Sequence, residues 1–259
     1  MPPPAPADRG ANPRGRLSSL RELRSRAGLF LDFDGTLSEI AARPDAARPV
    51  AGASEVLARL AEKYAIVALV SGRPSPEVRS ILDVPGVAVL GHYGLEQPGP
   101  GDDELAAVRA AVHEAASGWP GVRIEDKGRS IAIHVREADR PGDAVAVIRP
   151  ILDRLAHAHG LMVLPGKMVL ELAPAETPGK GSVVAREVEA RGLRACLFAG
   201  DDVADLAAFS ALDELAADGV VTVKVAVDGP ETPSELLAAA DELVTGPAGL
   251  VSFLARLAG

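Results

Sequence analysis

Apolar and polar positions along the chain form blocks that predict strands and helices in alternation. Short apolar runs of strand length, bounded by glycine, proline or polar clusters, begin with Leu29–Phe33 and Ala65–Val70. Between them, apolar residues recur at helical spacing from Ser54, a suitable N-cap, to about Lys63. The same order continues into a third strand at Val87–Leu90. Strands that alternate with helices predict a parallel sheet.

The pattern changes after residue 98, where a cluster of glycines and prolines predicts a domain hinge. Beyond it, two helical segments alternate with strands joined as hairpins, the second with its turn at Pro165-Gly166. After residue 175 the first pattern returns. We therefore expect an α/β fold, with a Rossmann-like, doubly wound parallel sheet and an inserted cap of antiparallel sheet plus two helices. The expected core covers residues 17–98 and 176–259, and the expected cap covers residues 99–175.

The N-terminal segment has a different composition from the rest of the chain. Residues 1–16 contain five prolines and three arginines among small residues. This composition predicts a disordered tail, because it offers little apolar surface to bury. A short helix is expected to follow, from Leu17 to Arg26.

Composition and charge limit the classes of partner. The chain has 259 residues, is 47% hydrophobic and 3% aromatic, and carries a net charge of −9. Nucleic acids and anionic membranes require a basic face, so both are poor candidates, whereas a small anion needs only local cations. The single cysteine, Cys196, excludes an intramolecular disulfide and fits a reducing compartment. With no apolar run of membrane-spanning length and no signal core, we expect a soluble, cytoplasmic monomer.

Four polar clusters lie where strands end or helices begin in the parallel part of the fold. Ligands of open parallel sheets gather at the carboxyl ends of the strands. Each cluster alone has an ordinary explanation: acids on a surface turn or at a helix cap, a serine at a helix entry, a surface lysine. The clusters are Asp32 with Asp34, Ser71, Lys180, and Asp201 with Asp202 and Asp205.

Taken together and in this order, the clusters resemble the four motifs of the haloacid dehalogenase superfamily of phosphatases, the first motif being the run DFDGT at residues 32–36. The resemblance implies that Asp32 is a nucleophile and Asp34 a general acid and base. It also implies that Ser71 and Lys180 hold phosphate oxygens. Finally, it implies a Mg²⁺ ion held by the Asp32 carboxylate, the Asp34 carbonyl and Asp201, with Asp202 or Asp205 in support.

Further stretches resemble the trehalose-6-phosphate phosphatase family: SGR at residues 71–73, HYGLE at residues 92–96, KGRS at residues 127–130, and the run from Lys167 to Pro174. The resemblance implies that a polar face of the cap sheet closes over the site and binds a disaccharide phosphate, with His134 and Arg136 supporting the cap. The implied substrate-binding residues are Arg73, Glu96, Glu125, Lys127, Lys167 and Glu171.

Four alternatives to a trehalose-6-phosphate phosphatase with a sugar-binding cap follow from the same residues. A polar sheet face is often only a solvated outer face. A phosphorelay receiver also carries acids, a hydroxyl and a lysine, but it has neither an inserted cap nor the second acid of the first motif. A catalytically dead sensor would lack catalytic positions, and all are present. The fourth motif has Ala204 and Leu206 where the family pattern has Thr and Glu. A phosphatase for sucrose phosphate, a glucosylglycerate phosphate or a pseudo-disaccharide phosphate therefore stays open.

Overall fold

The computed structural model describes residues 13–41, 46–94, 102–175 and 179–259. The chain divides into two compact units, which we call the core (residues 1–94 and 179–259) and the cap (residues 95–178). The domain boundaries expected from the sequence fall within or beside residues 95–101 and 176–178, which lie outside the described residues. Those exact boundaries stay a prediction.

The described elements alternate as the apolar pattern predicts. The strands are β1 (Ala27–Leu31), β2 (Ile66–Val70), β3 (Val87–Leu90), β4 (Arg123–Asp126), β5 (Ile131–His134), β6 (Leu161–Gly166), β7 (Val169–Pro174), β8 (Ala195–Gly200), β9 (Val221–Asp228) and β10 (Glu242–Thr245). The helices are α1 (Pro13–Glu22), α2 (Ala53–Ala61), α3 (Ser75–Ile81), α4 (Asp102–Ser117), α5 (Pro141–His159), α6 (Lys180–Ala190), α7 (Leu206–Ala217), α8 (Ser234–Ala239) and α9 (Gly246–Ala258).

The core is built on a six-stranded parallel sheet in the order β10-β9-β8-β1-β2-β3. Helices cover both faces, so β1 and β8 are buried along their whole length. Leu29 and Leu31 pack on one face with residues of α2 and α9, while Phe30 and Phe198 pack on the other with residues of α6 and α7. The predicted doubly wound fold is confirmed. Its strand order reverses between β1 and β8, which makes their carboxyl ends the expected ligand crevice.

The cap has a four-stranded antiparallel sheet in the order β4-β5-β7-β6. One face packs on α4 and α5, with Ile131, Ile133 and Leu172 fully or almost fully buried. The alternation along these strands therefore places the apolar positions on the helix-covered face, as predicted. None of the helices in the described ranges has the length and apolar character needed to cross a bilayer.

The second cap hairpin turns two residues later than the sequence suggested. Pro165 and Gly166 pair with Leu170 and Val169 inside the ladder, so the predicted turn at Pro165-Gly166 was wrong. The chain reverses at Lys167 and Met168 instead, and Met168 has a φ of 55°. Proline misled the prediction because it usually ends a strand. However, β6 is an edge strand, where the missing N–H of a proline is tolerated.

Several helix and strand ends also differ from the expectation. The N-cap of α2 is Gly52 and not Ser54, which lies inside the helix, and α1 ends at Glu22 and not at Arg26. Helix α1 begins at Pro13, so residues 13–16 are helical and not part of a disordered tail. Proline suits the first turn of a helix, because it needs no hydrogen-bond partner for its nitrogen there. Strand β1 ends at Leu31 and not at Phe33, and α7 continues to Ala217, beyond the expected end near Phe209.

Gly181 generates a stability prediction, because it lies where α6 approaches α7. A Cβ added at Gly181 would lie 2.3 Å from the backbone oxygen of Ala207. We expect Gly181→Ala to lower the free energy of unfolding by about 1–3 kcal/mol through overpacking. Gly142 holds the same position near the start of α5 and faces open space. The control Gly142→Ala should leave stability unchanged or raise it by up to about 1 kcal/mol. Urea unfolding measures both, and equal stabilities would contradict the close approach.

Candidate active site

The polar clusters of the core lie at the carboxyl edge of the parallel sheet. Asp32 directly follows β1, Ser71 directly follows β2, and Asp201 directly follows β8, while Lys180 is the first residue of α6. The N–H of Asp32 donates to the backbone oxygen of Ala199 at 2.9 Å, which fixes the end of β1 against β8. The fold thus gathers side chains that are far apart in sequence at the point where the strand order reverses.

A buried lysine bridges two of the acids. Lys180 Nζ lies 2.8 Å from Asp32 Oδ1 and 2.6 Å from Asp205 Oδ1. All three side chains are buried, that of Asp205 completely. A charge without a partner would be very costly in such a place. Lys180 therefore neutralises part of the negative charge in a site that contains more acidic than basic groups.

The electrostatics of Asp32 indicate a need for further positive charge. Burial raises the pKa of the Asp32 carboxyl well above its usual value, and Asp205 and Asp201 add to this, whereas Lys180 acts in the opposite direction. One carboxylate oxygen from each of Asp32, Asp201 and Asp205 lies within 4.8 Å of the others. Hard divalent cations prefer such oxygen ligands. These residues therefore fit a metal ion in both charge and donor type.

Hydrogen bonds hold the loop after β8 in place. Thr36 Oγ1 donates to Asp201 Oδ1 at 2.7 Å. Asp205 Oδ2 accepts from the backbone N–H groups of Asp201 and Asp202, at 2.9 and 2.8 Å. The Asp202 carboxylate accepts from the N–H of Val203 at 2.6 Å and caps the short 3₁₀ turn there. Of the two acids expected to support the metal, Asp205 thus lies in the carboxylate cluster, and Asp202 caps a turn.

The glycine of the first motif is required by two independent features. Gly35 has a φ of 80°, which favours glycine. A Cβ on Gly35 would also lie only 2.1 Å from Asp201 Oδ2. The loop after β1 can therefore approach the Asp201 carboxylate only because residue 35 has no side chain.

Asp34, the second acid of the first motif, pairs with an arginine, whereas Asp32 pairs with Lys180. Arg73 donates to Asp34 through Nε and Nη2, both at 2.7 Å, and through Nη1 to Glu77. Burial lowers the pKa of Arg73, but the hydrogen bonds and charges of Asp34 and Glu77 outweigh it and raise that pKa above the usual range. The Arg73 N–H donates to Ser71 Oγ at 3.1 Å, so the Ser71 hydroxyl can still donate its own proton.

The polar face of the cap sheet carries a network of its own. The register places Glu125, Ala132 and Glu171 side by side on three neighbouring strands. Lys127 Nζ lies 3.2 Å from Glu171 Oε2, and the Ser130 hydroxyl donates to the other oxygen of Glu171. These groups are thereby held in fixed orientations on the face opposite the two helices.

The described part of the chain includes two of the three remaining predicted sugar ligands, Glu125 and Lys167. Glu125 Oε2 lies 2.7 Å from His134 Nε2, an arrangement in which His134 supports Glu125. Lys167 lies in the turn between β6 and β7, beside the left-handed residue Met168. Glu96 falls in residues 95–101, outside the described part of the chain. The roles assigned to these residues stay predictions.

Two residues of the site escaped the sequence analysis: Thr36 orients Asp201, and Glu77 binds Arg73. Asp205 was expected only to support the metal, and in the structure it also fixes Lys180 and the loop after β8. A signal existed for Glu77, which stands four residues after Arg73 and opens α3, the spacing at which opposite charges meet. No local signal could have paired Thr36 with Asp201, since 165 positions separate them.

A family profile and curated proteins match most of the chain. A profile of the family described as trehalose-phosphatase matches residues 30–242. A trehalose-phosphate phosphatase of Mycobacterium avium is 35% identical over 251 residues, which cover 89% of this chain and 61% of that protein. The chain thus spans about three fifths of the length of such curated relatives.

Solved structures support the fold. The C-terminal domain of a C. albicans trehalose-6-phosphate phosphatase superimposes with a TM-score of 0.79 at 22% identity, covering 100% of this chain and 99% of that one. A haloacid dehalogenase-like hydrolase from Bacteroides thetaiotaomicron gives a TM-score of 0.56 at 17% identity, over 89% and 98% of the two chains. At these identities the likeness concerns the fold.

The charge of Asp32 generates a stability prediction. Because the folded state favours the neutral form of Asp32, the amide in Asp32→Asn should be less costly to bury than the carboxylate. We expect the metal-free variant to unfold with a free energy at least about 1 kcal/mol higher than wild type at neutral pH. Because the folded-state pKa of Asp32 is raised, the contribution of Asp32 to wild-type stability falls as the pH rises from 3.8 through that raised pKa. The gain should therefore grow over that window.

Urea titrations in the presence of a chelator, at several pH values, measure this gain. The control is Asp213→Asn, since Asp213 is 64% exposed and pairs with Lys224 on another part of the core. It should show no such gain. An Asp32→Asn protein that is less stable than wild type at every pH would contradict the electrostatic argument.

Proposed function

Because the chain belongs to the trehalose-phosphatase family, we propose that it hydrolyses trehalose 6-phosphate to trehalose and phosphate. The single observation that carries the proposal is the buried assembly of Lys180 with Asp32 and Asp205, next to Asp201. It supplies a nucleophile, a cation and a metal-binding cluster at one point, which is what phosphoryl transfer requires.

A Mg²⁺ ion fits this site in the proposal. The carboxylates of Asp32, Asp201 and Asp205 form the cluster that would hold or support it, and the Asp34 carbonyl and Asp202 are further candidates. When bound, the ion supplies positive charge that offsets the repulsion between the Asp32 carboxylate and a dianionic phosphate. The raised pKa of Asp32 supports this role, because a nearby cation favours the ionised, nucleophilic form.

In the first step, an Asp32 oxygen attacks phosphorus. A new bond forms between that oxygen and phosphorus, and the bond from phosphorus to the sugar oxygen breaks, which yields an aspartyl phosphate. Asp34 donates a proton to the departing sugar oxygen. Lys180 and the Ser71 hydroxyl donate hydrogen bonds to the other phosphate oxygens as charge spreads over them.

In the second step, water attacks the phosphorus of the aspartyl phosphate. Asp34, now a carboxylate, accepts a proton from that water, and the bond between phosphorus and the Asp32 oxygen breaks. Asp32 is restored as a carboxylate, and phosphate leaves. The exposed side chain of Asp34 supports this role, because 43% of it is accessible to water, whereas the side chain of Asp32 is only 8% exposed.

The cap is proposed to select the sugar. Its polar face presents Lys127 and Glu171 in fixed orientations, and Glu125 and Lys167 are the further candidates on the cap. Sugar hydroxyls both donate and accept hydrogen bonds, so neighbouring cationic and anionic groups suit them. A charge-assisted hydrogen bond contributes about 1.5–3 kcal/mol once water is excluded. Glu96 and Arg73 complete the set implied by the family resemblance.

The proposed setting is the cytoplasm, with a monomer acting on a small sugar phosphate. Cys196 is buried and free, which is compatible with a reducing compartment. The net charge of −9 disfavours nucleic acids as partners.

Phosphate release from a panel of sugar phosphates tests the activity. We expect trehalose 6-phosphate to be hydrolysed in Mg²⁺ with a kcat/KM at least about tenfold above that for sucrose 6-phosphate or glucosylglycerate phosphate. A chelator should abolish turnover, and Asp32→Asn should lose at least about 10⁴-fold. Preference for another member of the panel would overturn the substrate. Full turnover in excess chelator would overturn the metal.

A second prediction separates the cap from the core. Replacing Lys127 by Met should raise KM for trehalose 6-phosphate by at least about tenfold, which corresponds to 1.4 kcal/mol. Hydrolysis of a small aryl phosphate should change little, since the chemistry resides in the core. The control Arg149→Gln also removes one cation from the cap, but from an exposed ion pair on α5. It should leave both substrates unaffected. Equal losses on both substrates with Lys127→Met would show that the residue is structural.

A further inference from the structure

We propose that Arg73 is a positioning residue for the carboxylate of Asp34, and that Glu77 in turn positions Arg73. The inference rests on the proposed function, in which Asp34 donates and accepts the protons. It replaces the sugar-binding role that the family resemblance implied for Arg73. It also gives Glu77, which carries no role in the mechanism above, a defined task.

The contact between Arg73 and Asp34 is a two-point contact. Nε of Arg73 donates to one oxygen of Asp34, and Nη2 donates to the other, both at 2.7 Å. Such a parallel pair of bonds defines the plane of the carboxylate, which a single bond would leave free to rotate. Each oxygen keeps a second lone pair, so Asp34 can still exchange a proton with a leaving group or a water.

The guanidinium of Arg73 is itself held from three sides. Its third nitrogen, Nη1, donates to the carboxylate of Glu77. Its Cζ lies 5.8 Å from the centre of the Phe33 ring, and that ring is completely buried. Only 9% of the Arg73 side chain is exposed, compared with 43% for Asp34. A rigid group therefore holds a more exposed one.

The backbone of Arg73 is also fixed. Its N–H donates to Ser71 Oγ, and its carbonyl oxygen accepts from the N–H of His92 at 3.0 Å. Glu77 lies in the first turn of α3, where the helix dipole favours a negative charge. The chain from Glu77 through Arg73 to Asp34 thus links an ordered helix to the proton-transferring carboxylate.

Positioning of this kind matters in proportion to how much the leaving group needs a proton. A sugar oxygen is a poor leaving group and depends on a well-placed acid, which contributes about 10²–10⁴-fold in rate. An acidic phenol leaves without a proton. Disturbing Arg73 or Glu77 should therefore slow the release of poor leaving groups far more than that of good ones.

The test is the dependence of kcat/KM on the leaving group. The variants are Glu77→Gln and Arg73→Lys, with trehalose 6-phosphate and a series of aryl phosphates whose phenols differ in acidity. We expect a loss of at least about tenfold on trehalose 6-phosphate. The loss should shrink steadily as the phenol becomes more acidic, so that the logarithm of kcat/KM falls more steeply with phenol pKa than in wild type.

The matched control is Asp83→Asn. Asp83 pairs with Arg79 at 3.2 Å, four residues apart like Arg73 and Glu77, and Arg79 lies on the same helix as Glu77. Its removal should leave the slope unchanged. Thermal unfolding shows whether each variant is folded, and Glu77→Gln serves if Arg73→Lys is not.

Two results would overturn the proposal. One is an unchanged slope, which includes an equal loss on every leaving group. The other is a rise in KM for trehalose 6-phosphate alone, which would return Arg73 to sugar binding. The proposed function can fail separately: a wild-type protein that hydrolyses the aryl series but not trehalose 6-phosphate disproves the substrate, and the slope on the aryl series still decides the role of Arg73. A wild-type protein that hydrolyses no phosphate ester disproves both.

Discussion

The ion bridge from Lys180 to Asp32 and Asp205 is the interaction on which the rest of the site depends. Three carboxylates share a small buried volume with it, and in that environment their mutual repulsion is only weakly screened. Lys180 compensates part of this charge, but burial, together with the charges of Asp205 and Asp201, still raises the pKa of Asp32 well above its usual value. The protein therefore stores electrostatic strain in the place where a bound metal cation would relieve it. Such a site lowers the stability of the folded protein in exchange for reactivity.

Close packing of backbone around the acids makes this arrangement possible. A Cβ at Gly35 would collide with Asp201, and one at Gly200 would lie 2.3 Å from Cγ of Asp205. A Cβ at Gly181, next to Lys180, would collide with the backbone of α7. Asp201, Asp205 and Lys180 thus each lie next to a residue without a side chain. The hydrogen bonds that orient Asp201 and Asp205 come from protein groups.

Regular elements and local motifs were predictable, whereas the contacts between distant residues were not. Runs such as Leu29–Leu31 and Leu197–Ala199 are apolar because helices cover both faces of the sheet, and such runs are recognisable in any sequence. The turn at Lys167-Met168 was missed because Met168 has a positive φ, a conformation that methionine rarely adopts. The sequence motifs predicted that the acids lie at the sheet edge, but they did not predict which basic residue each acid pairs with. Choosing Lys180 for Asp32 and Arg73 for Asp34 requires knowing which loops meet in space.

Those two pairings suit Asp32 and Asp34 to different roles, although only Phe33 lies between them in the chain. Asp32 is almost fully buried beside the flexible, single-point cation of a lysine, which leaves its other oxygen available for attack. Asp34 is more exposed and meets the planar fork of an arginine, which fixes its orientation but leaves water within reach. A nucleophile gains from desolvation, and a proton carrier gains from alignment and access. Because β1 ends at Leu31, the chain beyond it can direct one acid to Lys180 and the other to Arg73. A continued strand would have pointed both acids to the same side.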